Sequence, residues 1–482
     1  MSTLLIENAA VVTVDPALGD FERANILIDD GSIVAIGPDL QADAERIDAS
    51  GMIAMPGMVD THLHTWQTPV RGILADGNIP DYLRGIRLQL AERMRPEDMY
   101  VGNYLGALDA INNGVTSIVD YCHNILTPDH AHSAVQGLLD AGVRGLYAHG
   151  MTPITTNTWA ESKGGSSASG SGAAGDPSEY RTRAHLAREI RATHFRSESQ
   201  PLRFGMAPQE FAITPPGEVV REFALARELG ARITQHANQV IVRQLFQDVE
   251  QLHAHGLLGD DLLLVHCTFN TAHEWELLRD TGTMVSVCAE TEMQMGMGFP
   301  AIREVTEYTT GPSLGIDCVS GTSHDMISHG RLVLQATRWR DDEPGYQRMV
   351  APQVMKWTTA DALRWLTING ARAAGVGDVA GSLTPGKRAD VVLLDMTGVS
   401  TAGWNRREPG GAIIAQANAG NVDTVLIDGR IVKRGGRLVH VDVPGALRKM
   451  QASHDYLYEQ MDRHGGFIPQ PPIDIPLYRE RA

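Results

Sequence analysis

Two patterns of apolar and polar positions alternate along this chain. Near the N-terminus, LLIENAAVVTVD, ANILIDDGSIVAIG and ERIDAS are short β-branched runs parted by Gly, Asp and Asn, which predicts antiparallel strands joined by tight turns. The same texture returns in ADVVLLDM (389–396) and VDTVLIDGRIVKRGGRLVHV (422–441), where Asp-Gly and Gly-Gly mark hairpins. A small β-sandwich domain built from both chain ends, residues 1–56 and 384–441, is predicted.

Between these ends, short apolar runs alternate with longer stretches at helical period, the pattern of repeated βα units around a parallel sheet. Eight strands are predicted: GMVDTHLH (57–64), TSIVDYCH (116–123), RGLYAHG (144–150), LRFGMAPQ (202–209), ARITQHAN (231–238), LLLVHC (262–267), MVSVCAE (284–290) and PSLGIDC (312–318). The fold class is therefore α/β, with a (β/α)8 TIM-like barrel over residues 57–383. In such barrels the chemistry gathers where the strands end. Here those ends carry His62 and His64, His123, His149, Gln209, His236, His266, Glu290 and Asp317. Residues 442–482 read as a C-terminal helix and a Pro-rich tail that wraps a neighbouring subunit or covers its own chain. The Gly/Ser-rich stretch 163–176 is expected to be a mobile loop on the active-site side.

Composition narrows the function. Lys+Arg 41 against Asp+Glu 58 gives a net charge of −17, the wrong sign for holding a phosphate backbone, so no nucleic-acid partner is expected. No basic leader precedes an apolar core, and no run of about 18 apolar residues occurs, so no membrane association and a cytoplasmic location are expected. Four cysteines without CxxC spacing indicate neither a disulfide framework nor a cysteine zinc site. Several motif matches lack their structural context: GSGAAG (170–175) has no strand before it, GPSLG (311–315) precedes a strand, GSLTPGKR (381–388) has Arg388 where a phosphate loop needs Ser or Thr, and His273-Glu274 lacks the second His of HExxH.

One constellation remains. His62 and His64 stand at i, i+2 of a strand, so both side chains leave one face, as two ligands of a single ion must. With His236, His266 and Asp317 at other strand ends, they are placed to converge on one barrel mouth. The segments MIAMPGMVDTHLH (52–64), ITQHANQ (233–239), LLVHC (263–267), LGIDC (314–318) and GSLTPGKRADVVLLD (381–395) resemble the amidohydrolase superfamily, in the branch that contains cytosine and guanine deaminases and triazine hydrolases. The resemblance implies that His62, His64, His236 and Asp317 bind one divalent metal ion, usually zinc or iron, that His266 assists an attacking water, and that the chain forms a homodimer or higher homo-oligomer. The same donor types leave cobalt and manganese open. Asp317 is placed to take the water's proton.

The chain departs from that family at two points. The usual HxxE after the fifth strand reads His236-Ala237-Asn238-Gln239, and an amide such as Gln239 can hydrogen-bond but cannot shuttle a proton. After the seventh strand, Glu290 and Glu292 appear; either one replaces the missing acid or binds an amino group, or both form salt bridges in a polar loop. Trp66, Gln67, Tyr82 and Phe269 are candidate contacts for a flat ring or, for the aromatic ones, lid anchors; His123 and His324 are candidate pocket residues. Hydrolysis of a C–N or other carbon–leaving-group bond in a small heterocyclic, amide or urea-like substrate by metal-activated water is the expected function. A metal-dependent lyase or decarboxylase, or a non-catalytic small-molecule-binding barrel, are the alternatives.

Overall fold

A computed structural model describes residues 3–151, 177–197, 199–212, 214–240 and 247–468. Strands β1 (Leu4–Val11), β2 (Phe21–Asp29), β3 (Ser32–Gly37), β4 (Glu45–Asp48) and β5 (Met52–Pro56) come from the N-terminal end. They join β14 (Val391–Asp395), β15 (Val422–Ile427), β16 (Arg430–Arg434) and β17 (Arg437–Leu438) in one nine-stranded, largely antiparallel sheet. The two ends meet where β5 pairs with β14, Met55 opposite Val392. Alternation along these strands divides their side chains: Val391 and Leu393 enter the sheet's own core, while Val392 and Leu394 join the barrel core with Ile53 and Met55. One strand thus cements two hydrophobic clusters.

All eight barrel strands are present. They are β6 (Met58–Leu63), β7 (Val115–Cys122), β8 (Arg144–Gly150), β9 (Leu202–Ala207), β10 (Arg232–Ala237), β11 (Leu262–His266), β12 (Met284–Val287) and β13 (Ser313–Leu314), parallel and adjacent in sequence order. Every residue of β6, β7, β8 and β11 is buried, as expected for parallel strands covered on both faces. The expected strands 284–290 and 312–318 are shorter in the fold. After Val287 the chain turns into the helix Ala289–Gln294, and after Leu314 it enters a left-handed conformation at Asp317, φ 69°.

The seam of the barrel lies at the candidate site. Asp317 N–H donates to the His62 carbonyl at 2.7 Å, and His64 N–H donates to the Asp317 carbonyl at 2.8 Å. Gly315 permits this approach, because a Cβ there would lie 2.8 Å from the Cβ of His62 and 3.0 Å from the Cys288 sulfur. Of the two expectations for the C-terminal arm, the described part covers its own chain. On the helix Val443–Arg463, Ser453 donates to Asp98 at 2.6 Å and His454 meets the Pro69 carbonyl at 2.9 Å. The Gly/Ser-rich stretch 163–176 and the Pro-rich end from 469 lie outside the described residues. Among the described residues no helix is long and apolar enough to cross a membrane.

Candidate functional site

Four strand ends bring a donor set together. His62 Nε2 lies 3.3 Å from His236 Nε2 and 3.4 Å from Asp317 Oδ1, and His64 Nε2 lies 3.3 Å from the same carboxylate oxygen. All four side chains are buried, and 253 residues of sequence separate His64 from Asp317. His266 Nε2 stands 3.8 Å from Asp317 Oδ2, on the other side of the carboxylate. His266 and Asp317 both have left-handed backbones, φ 75° and 69°. Non-glycine residues hold such conformations at a cost of about 1–3 kcal/mol each, which the surrounding packing must supply.

The rings are held by their far nitrogens. His64 Nδ1 faces the Tyr121 carbonyl at 2.9 Å, His236 Nδ1 faces Glu210 Oε1 at 2.7 Å, and His266 Nδ1 faces Glu292 Oε1 at 3.1 Å. An acceptor at Nδ1 leaves Nε2 as a bare lone pair, the form that binds a metal. Burial, then the neighbouring imidazoles, holds the His62 ring well below its ordinary range, and burial with His62 does the same for His64. Burial alone would lower His266, but the Glu292 hydrogen bond and the Asp317 and Glu292 charges raise it. Among the described residues the donor groups close enough to share an ion are His62, His64 and His236, then His62, His266 and Asp317, and His266, Cys288 and Glu292, and imidazole nitrogens with a carboxylate suit a divalent ion.

Glu292 and Glu290 share one helical turn and have different surroundings. Glu292 is fully buried, and its Oε1 takes the Cys288 N–H at 2.8 Å as well as His266. Glu290 points away, to within 3.9 Å of His329 Nδ1. Gln239 is half-buried and makes no side-chain hydrogen bond among the described residues. Glu210 was missed in the sequence, although it directly follows Gln209 at the end of the fourth predicted strand. Gln209 is occupied elsewhere: its amide donates to Glu222 at 3.0 Å, and its carbonyl oxygen accepts from Thr214 at 3.0 Å.

The expected substrate contacts divide similarly. His123 stacks on His64, ring centroids 4.2 Å apart. Trp66 Nε1 donates to His123 Nδ1 at 3.2 Å, and His123 Nε2 faces the Tyr82 hydroxyl at 3.4 Å. Gln67 Nε2 donates to that hydroxyl at 3.0 Å, and Gln67 Oε1 accepts from the Ser320 hydroxyl at 2.8 Å. An indole only donates, so the neutral His123 ring carries its hydrogen on Nε2. The Tyr82 oxygen then accepts twice, leaving its own O–H to donate. Phe269 sits apart, against the turn at Gly298. His324 is buried behind the first strand, 3.0 Å from Asp60, whose other oxygen accepts the His62 and Ile316 N–H groups.

The Amidohydrolase family profile matches residues 53–432. A 5'-deoxyadenosine deaminase of Methanosarcina mazei is 26% identical over 476 residues, covering 96% of this chain and 100% of that protein. A 5-methylthioadenosine/S-adenosylhomocysteine deaminase of Symbiobacterium thermophilum is 27% identical, covering 90% and 94%. Two solved structures share the fold. An adenosine deaminase from Xanthomonas campestris with bound zinc has a TM-score of 0.77 at 23% identity, covering 94% of this chain and 98% of that one. The atrazine chlorohydrolase TrzN from Arthrobacter aurescens, complexed with zinc, has a TM-score of 0.79 at 21% identity, covering 94% and 100%. This chain belongs to the amidohydrolase family and is a hydrolase of the carbon–nitrogen class expected from its sequence.

Proposed function

We propose that the protein is a zinc-dependent aminohydrolase that replaces an amino or comparable leaving group on a ring carbon of a small nitrogen heterocycle with water. The observation that carries this reading is the convergence of His62, His64 and His236 Nε2 with Asp317 Oδ1, His266 standing opposite. The deaminase relatives and the zinc-bound structural neighbours support the reaction and the ion. When bound, such an ion lowers the pKa of a coordinated water towards about 7 and polarises the group under attack.

The protein's own residues handle the protons. Asp317 presents Oδ1 to the ligand nitrogens and Oδ2 to His266, so it accepts the water's proton within reach of a second carrier. His266, raised in pKa and tied to Glu292, keeps Nε2 on the reacting side to steady the developing oxyanion. Glu292 acts only through His266. Gln239 orients but moves no proton, and the Asp317–His266 pair delivers the proton that the leaving group needs. Trp66, His123 and Tyr82 form the wall against which a flat ring lies.

Ammonia release from a panel of aminated purines, pyrimidines and triazines, with metal content measured on the same sample and the product analysed after reaction in ¹⁸O-water, tests the proposal. One zinc per chain, turnover abolished by chelation and restored by zinc, and label in the product are expected. Equal activity of chelated and zinc-loaded protein, or unlabelled product, overturns it.

A further inference from the structure

The proposed reaction leaves one charged side chain at the mouth without a role. Arg87 lies on Tyr82–Leu90, a nine-residue π-helix in the connection after the first barrel strand. Segments of this kind are rare and occur mostly at functional sites. The guanidinium is half-buried, 5.9 Å from the centre of the Trp66 ring, and Nη1 donates to the His123 carbonyl at 3.3 Å. Among the described residues that is its only hydrogen bond, and no carboxylate comes within 4.0 Å. Among the described residues, four of its five N–H donors have no acceptor.

Arg87 faces inward. Its charge is coupled to Tyr82, Glu210, Tyr121 and Cys122, which come from the segments of strands one, two and four. Burial lowers its pKa from the ordinary value, but a guanidinium stays charged. The acid among these groups, Glu210, has Oε1 committed to His236 at 2.7 Å. Two buried guanidiniums elsewhere are matched by carboxylates, Arg183 by Glu218 and Glu222 and Arg144 by Asp390 and Asp428, whereas the half-buried Arg203 and Arg232, at the start of their strands, meet the Gly375 and Asp260 carbonyls. An unmatched cation kept beside a binding wall is a site for an anion that arrives with the ligand.

We propose that Arg87, with the Tyr82 hydroxyl beside it, anchors a carboxylate on the substrate, so that the ring brought to the metal ligands belongs to an anionic heterocycle. Tyr82 and Arg87 are five residues apart in a helix that bonds i to i+5, which sets both on one side. The fork of the guanidinium matches a carboxylate in geometry, and the Tyr82 O–H adds a third donor. The assignment rests on the hydrolase reading for the fate of the ring, but not for the recognition of the charge.

The test is calorimetric binding to the full zinc-loaded chain with matched probes: nicotinate against nicotinamide, and orotate against its methyl ester. The wild type is expected to favour each anionic probe by about tenfold or more, the worth of one charged hydrogen bond. Arg87→Gln should bring each pair to within about twofold while keeping its zinc and its melting temperature, and Arg87→Lys should restore part of the preference. Tyr82→Phe, which removes a donor and no charge, should weaken the anionic probes only. A wild type without preference overturns the proposal, as does a preference that survives in Arg87→Gln, which would place the carboxylate on the ion. If Arg87→Gln loses its zinc or its melt, Tyr82→Phe decides: unchanged affinity for the anionic probes overturns the anchor. Failure of the hydrolase reading would appear instead as absent zinc dependence or unlabelled product, and would leave these affinity ratios unchanged.

Discussion

Arg144 and Arg87 occupy opposite ends of the same barrel and are treated in opposite ways. Arg144 opens β8 at the N-terminal end of the strands, where Nε meets Asp390 at 2.6 Å and Nη2 meets Asp428 at 3.0 Å. Asp390 also accepts the Asp428 N–H at 2.8 Å, so the barrel floor is bolted to the small sheet with its charges answered. Arg87, at the mouth, has one backbone carbonyl as its hydrogen-bond partner among the described residues. Left-handed non-glycine backbones occur at both ends, because Asn238, His266, Cys267 and Asp317 lie at or just past strand ends on the mouth side, and Asp428 lies at the floor. The floor answers its charges within the fold, whereas the mouth keeps donors and charges available for a ligand.

The sharpest test of that division is Asp317→Asn. It should lower kcat by on the order of 10²–10⁴-fold with little change in the urea midpoint, and a large stability loss with retained turnover would reverse the comparison. At the floor, Arg144→Met should do the opposite. It leaves Asp390 buried without its cation, while Asp428 keeps Arg388, a cost of about 3–5 kcal/mol, visible in urea unfolding while kcat per folded molecule holds. A loss below about 1 kcal/mol would remove the contrast.

Glu210→Gln should act at the mouth without touching the floor. By loosening His236 it is expected to weaken zinc affinity about 10–100-fold in a chelator competition, with the metal-free melt unmoved. The smallest effect belongs to Glu290, which burial and then Asp325 push up to about 7 from an ordinary value of 4.5. Between those two values the folded chain keeps a proton that the unfolded chain releases, so stability falls as pH rises through this window. Glu290→Gln cannot ionise and should narrow the stability difference between pH 5 and pH 8, with turnover within about twofold of wild type. Asp120 and Glu222, both also raised to about 7, contribute with the same sign and keep the difference from vanishing. An unchanged gap would place Glu290 in water.

Much of this was legible in the sequence. The two β textures predicted the split sheet, and the eight apolar runs each overlap a barrel strand. Their exact ends were less legible. MVSVCAE loses its last residues to a helix because Cys288 caps that helix and Glu292 must turn inward to reach His266. Glu292 and Glu290 looked equivalent, since a two-residue offset does not say which one a helical turn buries. Arg87 and Glu210 carried no motif. Glu210 is a single acid after a strand, and Arg87 one arginine among many, and only neighbours far away in sequence give either a role.

Residue types at fixed local spacing determined the fold class by themselves. A strand repeats every two residues, so His62 and His64 share a face whatever else the chain does, and β-branched runs between helical periods leave few folds available. The tertiary structure alone decided which carboxylate holds which imidazole, that the seam closes through Asp317, and that Arg87 reaches the His123 carbonyl at the mouth. Those outcomes depend on distances between side chains brought together from different strands, where a shift of about an ångström makes or breaks a hydrogen bond.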